Sequence, residues 1–451
     1  MWSSNLNQAF CNFLEEFLYS PAIAALTMKA TEEQFSRFHQ SRLRRQSATL
    51  LLVNLFFKTI CRNRPTKSRR PIGLVAALLA GLCLGALTIH AQDATWSGVG
   101  GGSAFGLWNE HENWKMPAQI PTGTAIFNTD EPTSVTISLT GEHPNPPTDI
   151  GTIQFGASAS AYTFTNNTTF NITSGGIANN STSQQIFINN SLLNFEAGTA
   201  GNTLPPTIID TTQGGRTSFF GSSTGGLARF ITESGGVVDI SGLAATTTGM
   251  TAGSIEGAGT YNLGSKELTT GLNNLSTTVS GVIADGGAAG GTGGSLIKAG
   301  TGTLTLSGNN TYTGKTAVTA GTLLVTGSLG AGSVNVSSEA VLGGTGTIGG
   351  PLTIQNGGIL SPGGNPLPET PGTLTMGPLT LNSGSILNYH FGIPNVVNSG
   401  INDLVKVMGN LTLAGTLNVT DEGGLEAGVY RVFDYTGSLT RGCKPKPPIF
   451  R

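Results

Sequence analysis

Charge is scarce in this sequence. Asp, Glu, Lys and Arg make up only 11% of its 451 residues, less than half the share of about 25% found in ordinary soluble chains. Disordered chains are characteristically charged and poor in apolar residues. Here 38% of residues are hydrophobic, so the deficit of charge excludes simple disorder. Positive charge is scarcest where nucleic acid would need it. From Gln92 onward there are 12 Lys and Arg against 21 Asp and Glu, with no basic stretch interleaved with aromatics. A dispersed acidic balance repels phosphate backbones, so nucleic acid is not expected as a partner.

Cysteine is almost missing as well. Cys11, Cys61 and Cys83 precede residue 92 and Cys443 stands alone near the other end. No C-x-x-C pair and no disulfide framework can be drawn through the body of the chain. After residue 92 the histidines are His111, His143 and His390; no two have the spacing of metal ligands, and each is expected at the surface or half buried. No metal and no cofactor is expected. Aromatics are few, at 20 Phe, 7 Tyr and 4 Trp, fewer than a β-sandwich or barrel with aromatic anchors would want.

What is abundant is glycine, at 66 residues, about twice the usual share of about 7%. Before it dominates, the chain has a leader. Basic residues up to Arg70 precede an 18-residue apolar run over residues 72–89, and a polar stretch starts at His90. Residues 68–91 therefore read as a secretory signal peptide cleaved between Ala91 and Gln92, or as an uncleaved membrane anchor of just sufficient length. Phe10, Phe13, Leu14, Phe17 and Leu18 recur at helical spacing, so the leader is expected to be helical. Residues 1–67 read either as an extended signal region or as an over-called start, with Met28 the next candidate start.

From Gln92 the composition changes and stays changed. Gly-Thr followed by an apolar residue recurs at Gly302, Gly321, Gly346 and Gly372, then 19, 25 and 26 residues apart in turn, and again at Gly415. Around these sit short alternating runs such as Thr303-Leu304-Thr305-Leu306 and Leu352-Thr353-Ile354. Alternation at period two places one face inside and the other in water. Gly, Asn and Ser clusters end each run, as sharp corners require. Short strands at intervals near 20 residues, without helices between them, specify a parallel β-helix in which Leu and Val stack inside while Asn and Thr form ladders. Roughly 17 rungs about 4.8 Å apart would make a rod on the order of 80 Å long.

Residues 294–328, GSLIKAGTGTLTLSGNNTYTGKTAVTAGTLLVTGS, resemble the autotransporter-associated β-strand repeat of bacterial passenger domains. The family pattern runs L-x-K-x-G-x-G-T-L-x-L-x-G-x-N-x-Y-x-G-x-T-x-V-x-x-G-T-L. Leu296, Lys298, Gly300, Gly302, Leu304, Leu306, Gly308, Asn310, Tyr312, Gly314, Thr316, Val318, Gly321 and Leu323 match it position by position. The resemblance extends over residues 92–439, best marked from residue 254. It implies an all-β, right-handed parallel β-helix with degenerate rungs and a Trp-rich cap over 92–253 and the repeats over 254–439. It further implies a non-enzymatic passenger at the cell surface or secreted, an adhesin or structural surface component whose repeats aid folding and secretion. Export machinery, and a host-cell, matrix or polysaccharide surface, are the implied partners. The family's outer-membrane barrel is expected but has no counterpart in this sequence, and residues 440–451, with their Lys and Pro, read as an aberrant tail.

Other motifs weigh less. Gly344-Thr345-Gly346-Thr347-Ile348-Gly349 fits G-x-G-x-x-G but has no following helix and no acid about 20 residues on, so its glycines read as turns. Trp96, Trp108 and Trp114 either plug the open end of a solenoid or offer a flat face to a sugar. A β-helical lyase or glycoside hydrolase would need converging carboxylates. Asp130-Glu131 and Asp421-Glu422 sit beside turn residues, and Asp403 with Lys406 and Asp434 with Arg431 read as exposed pairs. A ligand-free stalk is the remaining alternative.

Overall fold

The computed structural model describes residues 92–97, 106–108, 113–115, 120–128, 134–137, 149–363, 370–397 and 400–441. All belong to the compact unit Ile89–Arg451. The leader with its expected helix, Ala91, His111, His143, Asp130, Glu131 and the tail beyond 441 lie outside the described residues.

Within the described residues the fold is all-β, and every ladder between its strands is parallel. Strands pair with the strand one coil earlier and one coil later, and the resulting stacked parallel sheets have the organisation of a β-solenoid. A first face runs as a nine-stranded sheet from Ala94–Thr95 to Val282–Ala284, and a second as a seven-stranded sheet from Gly106–Leu107 to Ser254–Glu256. The second face continues through a parallel bridge, Gly257 to Val279, into the seven-stranded sheet from Thr277–Val279 to Thr416–Asp421. The first continues, after an interruption at Asn310, into the five-stranded sheet from Ser328–Leu329 to Phe433–Tyr435. A third face of nine strands opens only at Gly249–Ala252 and reaches Leu439–Arg441. Before it, the third side is a row of single bridges, Gly176 to Thr199 to Thr224, whose last hydroxyl meets that of Thr251 at 2.9 Å.

Like stacks on like because a parallel in-register ladder brings the same position of each coil into contact. Leu304, Leu323, Leu342, Leu360, Leu387 and Leu417 form one column, with successive members 19, 19, 18, 27 and 30 residues apart. The two longer coils carry the segments between Pro362 and Thr373 and between Phe391 and Leu404. Leu304 through Leu387 are buried, and each contributes about 1.5–3 kcal/mol by leaving water.

The core is not aliphatic throughout. In the first coils it is built of rings: Phe127 on Phe155 at 5.3 Å, Phe164 on Phe187 at 4.5 Å, Phe195 on Phe219 at 5.0 Å. Few aromatics suffice because parallel register places them over one another. The expectation of a Leu and Val interior holds for the later coils only.

Glycine is frequent partly because corners stack on themselves. A Cβ at Gly308 would overlap the carbonyl oxygen of Gly281, and one at Gly327 that of Gly308. These positions need glycine for close approach; their φ is ordinary. The left-handed backbone expected at corners does occur at Gly300 (φ 65°) and Gly321 (φ 61°).

Candidate functional sites

The repeat signature is distributed around one coil and the start of the next, and its polar members are buried. Lys298 follows an inward Leu296 on Ser295–Lys298, and its Nζ turns back to donate to the carbonyls of Ala299 (2.7 Å), Gly300 (2.9 Å) and Ala320 (3.1 Å). With the side chain only 1% exposed, burial lowers its pKa from 10.5 to about 8. Asn310 takes the place of a missing strand. Its Oδ1 accepts from the amide of Ile283 (3.0 Å) while its Nδ2 donates to the carbonyl of Ser328 (3.0 Å), so one side chain joins the coil before to the coil after. Tyr312 is buried, with its hydroxyl 2.6 Å from Thr316 Oγ1, and burial pushes its pKa up. Leu304, Leu306 and Leu323 point inward. Gly302 and Gly314 leave room for the carbonyls of Leu275 and of Gly293 and Gly294. These residues hold the coil closed, and none presents a reactive group to solvent.

Trp96, Trp108 and Trp114 are buried at 0%, 1% and 2% exposure. Trp114 meets Trp96 and Trp108 edge to face at 5.1 and 5.0 Å, and all three surround Phe127. Rings so covered offer no flat face to a sugar.

The C-terminal acids behave differently from their reading in sequence. Asp403 is not an exposed partner of Lys406. It is fully buried, and its Oδ2 lies 3.0 Å from Nδ1 of His390, itself buried rather than at the surface. The carboxylate also accepts from the amides of Gly372 (2.7 Å) and His390 (2.8 Å). Burial raises its pKa, against the opposing pull of those hydrogen bonds. Arg431 and Asp434 do form an exposed pair, 3.8 Å apart.

A carboxylate group that sequence reading passed over lies on the second face. Asp210, Glu233 and Glu256 follow one another every 23 residues, about one coil. Asp210 and Glu256 share a column, separated by Ile231. Burial raises the pKa of Asp210, with smaller contributions from Glu233 and Glu256. Glu256 is held by Arg229, Nε to Oε1 at 2.5 Å. The 23-residue recurrence was visible in the sequence; the register that brings the acids together was not. Among the described residues no His, Cys, Asp and Glu cluster could hold a metal ion.

Residues 296–325 match the Passenger-associated-transport-repeat family, and the match runs over more than one coil, from the strand that ends at Lys298 to the strand Thr322–Val325, taking in two stacked strands on each of two faces. A stretch of 198 residues, 43% of the chain, is 38% identical to a protein of Brucella suis biovar 1 (strain 1330) named Adhesin BmaC autotransporter. That stretch covers 6% of the Brucella protein, so the chain corresponds to a small part of this relative. No solved structure matches. The repeat and the relative together support an autotransporter passenger protein.

Proposed function

We propose that this chain is passenger material exported to the cell surface or secreted, where it acts as an adhesin or a structural surface component. Its coils form a right-handed parallel β-helix, its buried tryptophans cap the first turn, and its repeats assist folding during passage through the export machinery. The leader at 68–91 directs export, by cleavage after Ala91 or by anchoring. Adhesion works by many weak contacts along outward Thr- and Asn-rich faces to a host-cell, matrix or polysaccharide surface, each coil repeating the same groups. The observation that carries this reading is the 38% identity to a protein named as an adhesin, over 198 residues. Two measurements test it: antibody labelling of intact producing cells, and retention of the purified chain on host-cell monolayers and immobilised matrix. Surface labelling with retention supports the reading. Labelling without retention on any surface leaves the ligand-free stalk, and a chain confined to the cytoplasm overturns both.

A second reading, a β-helical polysaccharide lyase or glycoside hydrolase, is favoured by Asp210 and Glu256. They face outward two coils apart, roughly 10 Å along the sheet, near the separation of about 6.5–9.5 Å used by inverting hydrolases. Asp210 has the raised pKa of a general acid. Release of new reducing or unsaturated ends from polysaccharides, abolished in Asp210→Asn, would establish it. The Arg229 pairing of Glu256 and the relative's name favour adhesion over catalysis.

A further inference from the structure

One outward column of the first face is polar on six consecutive coils. Asp149, Asn171, Asn194, Ser218, Asp239 and Asn262 stand in register from strand to strand, at sequence intervals of 22, 23, 24, 21 and 23 residues. At the near end the side chains hold one another in place. Asn171 Nδ2 donates to Asp149 Oδ1 at 2.6 Å, and Asn194 Nδ2 donates to Asn171 Oδ1 at 2.8 Å. Beside the column Leu192 and Phe220 keep apolar surface open, at 39% and 37% exposure.

The far end is covered by the chain itself. Residues 285–294, DGGAAGGTGG, leave the strand Val282–Ala284 and fold back over the earlier coils. There the amide of Ala288 donates to Asp239 Oδ2 at 2.8 Å and that of Ala289 to Ser241 Oγ at 3.1 Å. Gly287, with φ 98°, sits so close to Asp239 and Ser241 that a Cβ would overlap both. From the other side Arg216 pairs with Asp239 and donates to Ser218 Oγ at 3.3 Å. A cavity of about 150 Å³ remains beneath this strap, lined by Phe219, Phe220, Gly242, Ala288 and Ala289. Asp239 is thereby buried, while Asn171 and Asn194 stay half exposed.

We propose that this column is a binding track for an extended, uncharged polysaccharide, and that residues 285–294 are a built-in competitor covering its far end. The inference rests on the adhesive reading above and gives it a ligand class. Amide and carboxylate side chains accept hydroxyl protons, and the amides also donate, so a row of them matches a row of sugar hydroxyls. The two strap amides occupy the acceptors of Asp239 and Ser241 that a pair of neighbouring hydroxyls would use. Phe220 supplies a flat apolar face of the kind a pyranose ring covers. The coil repeat of about 4.8 Å is comparable to the advance of one sugar unit in an extended chain, so successive coils meet successive sugars. The track carries two carboxylates, Asp149 and Asp239, and no cationic side chain in the column itself, which disfavours a polyanion.

The test uses the full chain and three immobilised probes: cellohexaose, chitohexaose and polygalacturonate. Wild type is expected to bind at least one of the uncharged hexasaccharides. Gly287→Ala, which cannot seat the strap, is expected to bind about tenfold more tightly, the worth of roughly one displaced charged hydrogen bond. Asn194→Ala and Phe220→Ala are each expected to weaken binding in both backgrounds; Phe220 is exposed, so its loss reports on the track even if Asn194→Ala disturbs the coil. Binding to polygalacturonate alone, binding unchanged by Phe220→Ala, or no binding even with Gly287→Ala overturns the inference. Adhesion to host-cell monolayers, read in parallel, separates the two levels. If adhesion persists without hexasaccharide binding, only the track is wrong; if both are absent, the adhesive reading falls with it.

Discussion

His390 and Asp403 form a buried pair, Nδ1 to Oδ2 at 3.0 Å, with side-chain exposures of 5% and 0%. The pair closes the segment between Phe391 and Leu404 back onto its coil, and the same carboxylate receives the amide of Gly372. Asp403→Ala strands two buried amide donors and leaves the His390 ring nitrogen without its partner carboxylate, and is expected to cost about 3–5 kcal/mol, read as loss of amide protection in the strands Ile386–Phe391 and Leu404–Val407. Asp403→Asn, which keeps an acceptor for Gly372, should cost less. Because burial raises the folded pKa of Asp403, the folded chain binds the extra proton. Its contribution to stability is full below the unfolded value, about 3.9, and is lost as pH rises through the folded value. The Asp403→Asn variant should lack that slope.

Lys298 gives the opposite sign of pH dependence. Its folded pKa of about 8 lies below the ordinary 10.5, so between these values the unfolded chain holds more protons. Stability should rise with pH across that window, and the cost of burying the charge is complete below pH 8. Lys298→Met should flatten the slope in urea titrations at intervals from pH 7 to 10.5. At pH 7 it should also destabilise by about 1–3 kcal/mol, because three carbonyls lose their donor.

Gly308 tests the stacked corners. Gly308→Ala forces a methyl into the carbonyl of Gly281 and should cost about 1–3 kcal/mol or more. Exchange of the amides of Thr303–Leu306 should accelerate while coils several turns away stay protected, since each coil contacts only its neighbours.

Leu342 lies in the middle of the leucine column, between Leu323 and Leu360. Leu342→Ala should cost about 2–5 kcal/mol by transfer and cavity terms. Thr353→Ala, half exposed on the third face, should change stability by less than about 0.5 kcal/mol. Thermal melts of the two variants check the contrast.

The strands were legible because burial alternation is local. Thr303–Leu306 and Leu352–Ile354 begin and end where their alternation of Thr with Leu or Ile does. Parallel stacking was legible from the near-20-residue return of Gly-Thr-Leu. What escaped depends on register between coils. The polar column from Asp149 to Asn262 recurs at about 23 residues, yet its members differ in type, so no single motif repeats. His390 and Asp403 are brought together by an excursion of the chain, which periodicity does not encode. The early rings are sparse in sequence and dense in space because Phe127, Phe155, Phe164 and Phe187 come from different strands that stack.

The central claim is a parallel coil in defined register, and paired cysteines on the third face read it directly. Thr353 stands opposite Thr380, and Thr380 opposite Thr412, so neighbours are about 4.8 Å apart and alternate coils about twice that. A disulfide needs Cα atoms within about 4.4–6.8 Å. In a Cys443→Ser background, oxidation should join Thr353→Cys to Thr380→Cys and leave Thr353→Cys with Thr412→Cys unjoined. Bridging of the second pair but not the first would contradict the register, and with it every column on which the functional reading stands.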